Sequence, residues 1–289
     1  MKFSELYQDG QFHHSIEVFP PKTDKSRETL ITELTALQAT KPAYVSVTYG
    51  AMGSTRDLTK DLAIQIHDDF KCPTAFHFTC VGADREAIKN YVTELANRDL
   101  KLVVALRGDK PQNQSTFTPP QNGFRYASEL VGYLKSIGDF SIAVAGYPEK
   151  HAEAVSLEDD INHLKEKVDA GADIIITQLF FQNERYYDWV EKIRAKGINI
   201  PVVAGIMPMR NAAQIKRITG LCGASLPQDL LSQIERFQDD ADSIVKLGID
   251  HASKQCLDLR KQGVAGIHFY CLNKADSVLA VLNNMGIKS

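Results

Sequence analysis

The sequence predicts an α/β chain closing into a (β/α)8 barrel, and three observations carry that expectation. Eight short runs rich in β-branched and aromatic residues recur along 289 residues; segments with helical spacing alternate with them; and no G-x-G-x-x-G or Walker loop occurs anywhere. A doubly wound sheet, the competing architecture, usually has fewer strands and often a phosphate fingerprint after the first.

In order, the strand runs are SIEVF (15–19), AYVSVTY (43–49), TAFHFTC (74–80), KLVVALR (101–107), SIAVAGY (141–147), DIIITQLF (173–180), PVVAGIM (201–207) and GIHFYCL (266–272). Most are too apolar to have a wet face, as in strands covered on both sides. Between them, Leu30, Leu34 and Leu37 share one helical face, as do Ile88, Val92 and Leu95. Leu157, Ile161, Leu164 and Val168 form the clearest stripe, with Ser156 placed to cap that helix and Gly171 to end it. The interval 208–265 is too long for one helix and predicts two or three, one of them starting near SLPQDL. Repeats, low-complexity tracts and linkers rich in Gly or Pro are missing, so residues 1–289 read as one catalytic domain.

Composition excludes several classes. Apolar residues make up 44% and charged residues 24%, as in ordinary globular chains. A net charge of −3 offers no basic field to neutralise phosphates, which argues against nucleic acid as a partner. No apolar run reaches the roughly 20 residues that span a bilayer, and the N-terminal MKFSELYQDGQFHH lacks a signal-peptide core. The five cysteines are scattered without a CxxC pair, which suits idle thiols in a reducing cytoplasm.

The stretch HSIEVFPPKT (14–23) sets Glu17 among Ile16, Val18 and Phe19 at the end of the first strand. Alone, it reads either as an exposed edge acid or as a carboxylate facing the barrel interior. In this fold the carboxyl ends of the strands form the active site. Those ends collect polar residues: Glu17, Thr48, Tyr49, His77, Thr79, Arg107, Asp109, Tyr147, His151, Gln178, His268, Tyr270, Asn273 and Lys274. The second reading of Glu17 is therefore preferred. No paired-ligand motif supports a metal, and no G-x-S-x-G or mid-strand lysine supplies a nucleophile. An acid with amides and aromatics suits proton transfer and the holding of a planar heterocycle, with a redox cofactor supplying the harder chemistry.

Seven segments, EVFPPKT, VSVTYGA, HFTC, ALRGD, AGYPEKH, HLKEKVDAGADIIITQLFF and HFYCLN, occur in this order and cover nearly the whole chain. Together they resemble the catalytic barrel of methylenetetrahydrofolate reductases, and the short length resembles the bacterial members. The resemblance implies bound FAD, NADH or NADPH as hydride donor, and ping-pong reduction of 5,10-methylenetetrahydrofolate to 5-methyltetrahydrofolate. It also implies a cytoplasmic homo-oligomer.

By the same resemblance Glu17 is the general acid toward a folate ring nitrogen, and Asp109 lies between flavin and pterin. Flavin contacts fall to Tyr49, Ala51, His77, Arg107, Gly108, Asp109, Tyr126, Ala127, Tyr147, His151, Asp160, His163 and Lys167; Asp160 would take ribose hydroxyls and Lys167 the pyrophosphate. Thr48, Asp109, Gln178 and Lys274 are the implied substrate contacts, and no metal is implied. An acid working at neutral pH needs a raised pKa, which Ile16, Val18 and Phe19 are expected to provide. Two positions depart from the family pattern. Lys274 stands where many relatives have arginine, keeping charge without the bidentate fork. Ala212 stands near an aromatic position of relatives, with Phe180 or Phe181 as candidate replacements or as core.

Overall fold

The computed structural model describes residues 1–7, 10–49, 56–80, 83–108 and 119–288. Among them are eight strands: β1 (His13–Val18), β2 (Val45–Val47), β3 (Thr74–Thr79), β4 (Leu102–Leu106), β5 (Ser141–Gly146), β6 (Ile174–Thr177), β7 (Val202–Ile206) and β8 (Gly266–Tyr270). All pair in parallel in chain order and β8 closes on β1, so the chain is a (β/α)8 barrel.

A short helix, α1 (Phe3–Leu6), precedes the barrel. Six helices alternate with the first seven strands: α2 (Asp24–Gln38), α3 (Arg56–Phe70), α4 (Arg85–Ala96), α5 (Ala127–Ile137), α6 (Leu157–Asp169) and α7 (Asn183–Ala195). The long interval before β8 holds three more, α8 (Ala212–Cys222), α9 (Gln228–Arg236) and α10 (Ala241–Lys261), and α11 (Asp276–Asn284) follows it. Ser156 caps α6 by accepting from Asp159 N, Gly171 ends it at φ +114°, and Pro227 stands at the N-cap of α9.

Alternation along each strand sorts the core into two layers. Ile16 and Val18 turn outward and pack with Leu30, Leu34 and Leu37 of α2. Inside the cylinder, Ala75, Leu102, Val104, Ala143, Ile174, Ile176 and Val203 fill the lower part. A third apolar cluster joins Leu179, Phe181, Met207 and Met209 to α8, α9 and α10, fixing the insertion over the ends of β6 and β7. Gly248 of α10 makes that approach possible, because a Cβ there would lie 2.0 Å from Met209 O.

No element is expected before the first strand, yet Phe3 of α1 is fully buried. Its ring meets Tyr44 edge-on at 5.0 Å, and its N–H donates to Ser141 Oγ at 2.9 Å. α1 thereby plugs the amino-terminal end of the barrel. Strand β6 is shorter than its apolar run. After Thr177 one more rung forms, Gln178 N donating to Gly146 O, and the ladder then ends where Leu179 N donates to Gln178 Oε1. Phe180 and Phe181 are buried in separate clusters, Phe180 stacked on Tyr186 at 5.2 Å and Phe181 in the cluster that also holds Ala212, so both pack as core. Ala212, the first residue of α8, is itself buried in the insertion's apolar cluster.

Candidate active site

Glu17 projects into the cylinder from β1, level with Ser46 on β2 and Tyr270 on β8. Its side chain is 20% exposed, and Oε2 lies 3.4 Å from His77 Nε2 and 3.6 Å from His268 Nε2. Ser46 Oγ stands between the two imidazoles, 3.3 Å from His268 and 3.4 Å from His77. On its far side the His268 ring hydrogen-bonds Ser15 Oγ through Nδ1 at 2.7 Å and stacks on Tyr44 at 5.7 Å. Tyr270 meets His268 edge-on and donates across the mouth to Thr177 O at 2.6 Å. That crossing needs Gly205, where a Cβ would fall 2.7 Å from the Tyr270 ring.

These neighbours correct the expected titration of Glu17. Burial pushes its carboxyl up, but the hydrogen bond from His268 and the attraction of both imidazoles outweigh it, and the group is held below its ordinary range. Ile16 and Val18 do not raise it because strand alternation aims them at the helices. Phe19, at the rim, is 44% exposed. Burial takes His77 the other way, down to about 4 despite Glu17 beside it. At neutral pH the site is an ionised carboxylate facing a neutral His77.

Beside this cluster at the same end of the barrel, a cleft of about 440 Å3 opens between the ends of β4 and β5 and helices α5 and α6. Its size falls within the roughly 300–1,000 Å3 of small-molecule and cofactor sites. Arg107, Tyr126, Ala127, Tyr147, His151, Asp160, His163 and Lys167 all line it, together with Arg125 and Glu153. Lys167 donates to Ala145 O at 2.6 Å under the Tyr147 ring, and burial lowers its ammonium to about 8, against the pull of Asp160. Burial raises the Asp160 carboxyl, Lys167 opposing it. His151 is pushed down, first by burial and then by Arg107, and meets Tyr147 edge-on at 4.7 Å. Arg107 pairs with Glu153 at 2.6 Å, and the Tyr126 and His163 rings lie nearly parallel at 6.3 Å.

The remaining predicted residues distribute differently. His77 belongs with Glu17 and does not line the cleft, and Tyr49 is half-buried against Phe78 at 5.3 Å. Gly108 follows Arg107 at φ +87°. Ala51 and Asp109 lie outside the described residues. Thr48 sits just past β2, its N–H donating to Val18 O. Gln178 turns its side-chain oxygen back to Leu179 N, and Lys274 pairs with Glu33 of α2 at 3.0 Å. Sequence reasoning put His268 on the rim without a role and passed over Ser15 and Ser46. Their signal was alternation: Ser15 shares the inward face with Glu17, and His268 is the polar residue at the centre of an apolar strand.

A family model described as methylenetetrahydrofolate reductase matches residues 2–286. The 5,10-methylenetetrahydrofolate reductase of Escherichia coli K12 is 36% identical over 279 residues, covering 96% of this chain and 92% of that protein. Methylenetetrahydrofolate reductase (NADH) 1 of Arabidopsis thaliana is 35% identical over 297 residues, covering 99% of this chain and 50% of that protein. The chain thus spans about half the length of the plant relatives it matches. Among solved structures, an uncharacterized protein from Clostridium thermocellum that binds two copies of 5-methyl-5,6,7,8-tetrahydrofolic acid superposes with TM-score 0.66 at 11% identity, covering 98% of this chain and 97% of that one. At that identity the likeness is one of fold.

Proposed function

The chain belongs to the methylenetetrahydrofolate reductase family, and on that premise we propose that it reduces 5,10-methylenetetrahydrofolate to 5-methyltetrahydrofolate, with FAD as bound cofactor and NADH or NADPH as hydride donor in a ping-pong cycle. The observation that carries this reading is the meeting, at one end of the barrel, of an ionisable acid gripped by histidines with a cleft of mixed charge and aromatic character. The donor set fits a dinucleotide. Arg107 and Lys167 offer cations to a pyrophosphate, Asp160 offers a hydrogen-bond acceptor to ribose hydroxyls, and Tyr126, Tyr147, His151 and His163 offer rings and edges. Bound FAD would supply two-electron storage between the nicotinamide and folate half-reactions.

The chain's own residues supply the rest. Glu17 protonates a ring nitrogen of the folate, so that its five-membered ring opens to an iminium able to accept hydride. The carboxyl must rise to do so. Burial already acts upward on it, and a ring lying over the mouth removes the water still reaching its exposed fifth. His77 and His268 hold it in place meanwhile. Thr48, Gln178 and Asp109 are assigned to substrate contact, Lys274 to the folate's acidic tail, and Tyr49, Ala51, Gly108 and Asp109 to the flavin's surroundings. Action as a cytoplasmic homo-oligomer belongs to the same proposal.

The test is spectroscopic. Protein loaded with FAD and freed of excess should lose its visible flavin absorbance when NADH or NADPH is added without oxygen, then regain it on addition of methylenetetrahydrofolate. Flavin uptake without bleaching would move the chain to a barrel served by another electron donor; no uptake would overturn the reading.

A further inference from the structure

Glu149 takes no part in the proposed reaction, yet it stands on the β5–α6 loop between Tyr147 and His151, both of which line the cleft. Its side chain is 13% exposed and turns toward the insertion, away from the cleft lining. Ser225, between α8 and α9, donates to it twice: its N–H to Oε1 at 3.1 Å and its hydroxyl to Oε2. Arg185 Nε, in the first turn of α7, approaches Oε2 at 3.8 Å. Segments that leave the barrel after β5, β6 and β7 therefore converge on one carboxylate.

The two sides of this junction are held differently. Ser225 adjoins Ala224, part of the apolar cluster that fixes the insertion to Leu179, Phe181, Met207 and Met209. The loop side is a tight turn, Lys150 N donating to Tyr147 O at 3.1 Å, with Lys150 itself at φ +77°. A positive φ at a non-glycine residue persists only where its surroundings over-determine it. Lys150 Nζ bonds to His151 O and Ala154 O close the turn on one side, and Glu149 anchors it on the other.

We propose that Glu149 is a positioning residue: by tying its loop to the rigid insertion it sets the placement of Tyr147 and His151, so the cleft's hold on its ligand depends on a hydrogen-bonded junction outside the cleft. The inference rests on the reading of the cleft as a flavin site.

A double-mutant cycle on the FAD-loaded enzyme tests it, with flavin release followed by the return of its fluorescence. Glu149→Ala should weaken FAD binding about tenfold, the scale of losing hydrogen bonds to a charged group, with kcat at saturating FAD changed less than twofold. Ser225→Ala, which keeps the backbone donor, should weaken it less. The double variant should be no worse than Glu149→Ala alone, since both changes break one junction. Glu149→Gln keeps one acceptor oxygen and should restore most of the hold. Unchanged FAD affinity in Glu149→Ala, or strictly additive losses, would overturn the proposal. Should Glu149→Ala not fold, Ser225→Ala decides: full retention of flavin overturns the proposal, and partial loss with intact kcat supports it. If the wild-type chain itself takes up no FAD, the reading of the cleft falls, and the proposal with it, before any variant is compared.

Discussion

The two halves of the barrel interior differ in chemistry though they share one backbone geometry. Strands β8, β1, β2 and β3 turn His268, Ser15, Glu17, Ser46 and His77 inward, and these groups bond to one another across strands. Strands β4 to β7 turn Leu102, Val104, Ala143, Ile174, Ile176 and Val203 inward. Buried polar groups must be satisfied, so the first half is a closed network built by the sheet itself. In the second half Ser141 is buried at the floor, where its hydroxyl meets Phe3 N and Asp173, and the ionisable groups of the cleft lie further out, on the loops and on α5 and α6. The acid is thus positioned by rigid strands, and the cleft by connections that need ties of their own.

The strongest test of that division is Glu17→Gln. Reoxidation of reduced enzyme by methylenetetrahydrofolate should slow by about 10^2- to 10^4-fold, the usual reach of a general acid, with flavin reduction by NADH or NADPH nearly unchanged. Comparable losses in both half-reactions of a stopped-flow experiment would show that the halves do not act separately.

Next in size is a pH effect on stability that belongs to the polar half. An unfolded histidine takes up its proton near 6.5, whereas folded His77 resists protonation down to about 4. Its contribution is therefore present above pH 6.5 and lost as the pH falls from there toward 4, amounting to at most ~3 kcal/mol. His14, buried near the floor and bonded to Thr40, is lowered to about 4 by burial and acts in the same direction. Urea midpoints measured from pH 7 to 4.5 should fall, and His77→Gln should make that slope shallower without abolishing it, since His14, His151 and His251 are pushed down as well.

On the cleft side, Lys167→Ala should weaken FAD about tenfold, the scale of one charge-assisted contact. Because its ammonium lies near 8 in the free chain, wild-type affinity should decline between pH 7 and 9.5, and the variant's should not. Fluorescence titration at several pH values checks both, and Glu17→Gln should leave the profile intact.

The smallest effect is at the rim. Lys274 is about half exposed, and its pair with Glu33 should contribute less than about 1 kcal/mol, so Lys274→Ala should barely change the melting temperature. A rise in the KM for folate in that variant would establish that the cation also serves the substrate.

Much of this was legible because it is local. Apolar runs marked the strands, Ser156 and Gly171 bounded α6, and the length before the last strand required the extra helices. The titration of Glu17 was not legible, because its sequence neighbours face the helices while His77 and His268 reach it from strands far along the chain. The plug was hidden for another reason: four residues are too few for periodicity, and Phe3 shows its purpose only beneath Tyr44. The end of β6 was likewise hidden: Leu179 N turns to the Gln178 side chain, a bond that no apolar run announces, and Phe180 and Phe181 beyond it are core.

That plug has a consequence for the floor of the barrel. Phe3 and Tyr44 are both fully buried and meet edge-on, so trimming the first few residues would leave the Tyr44 ring bare to water at the end remote from Glu17, a loss of anchorage with no direct contact to the acid.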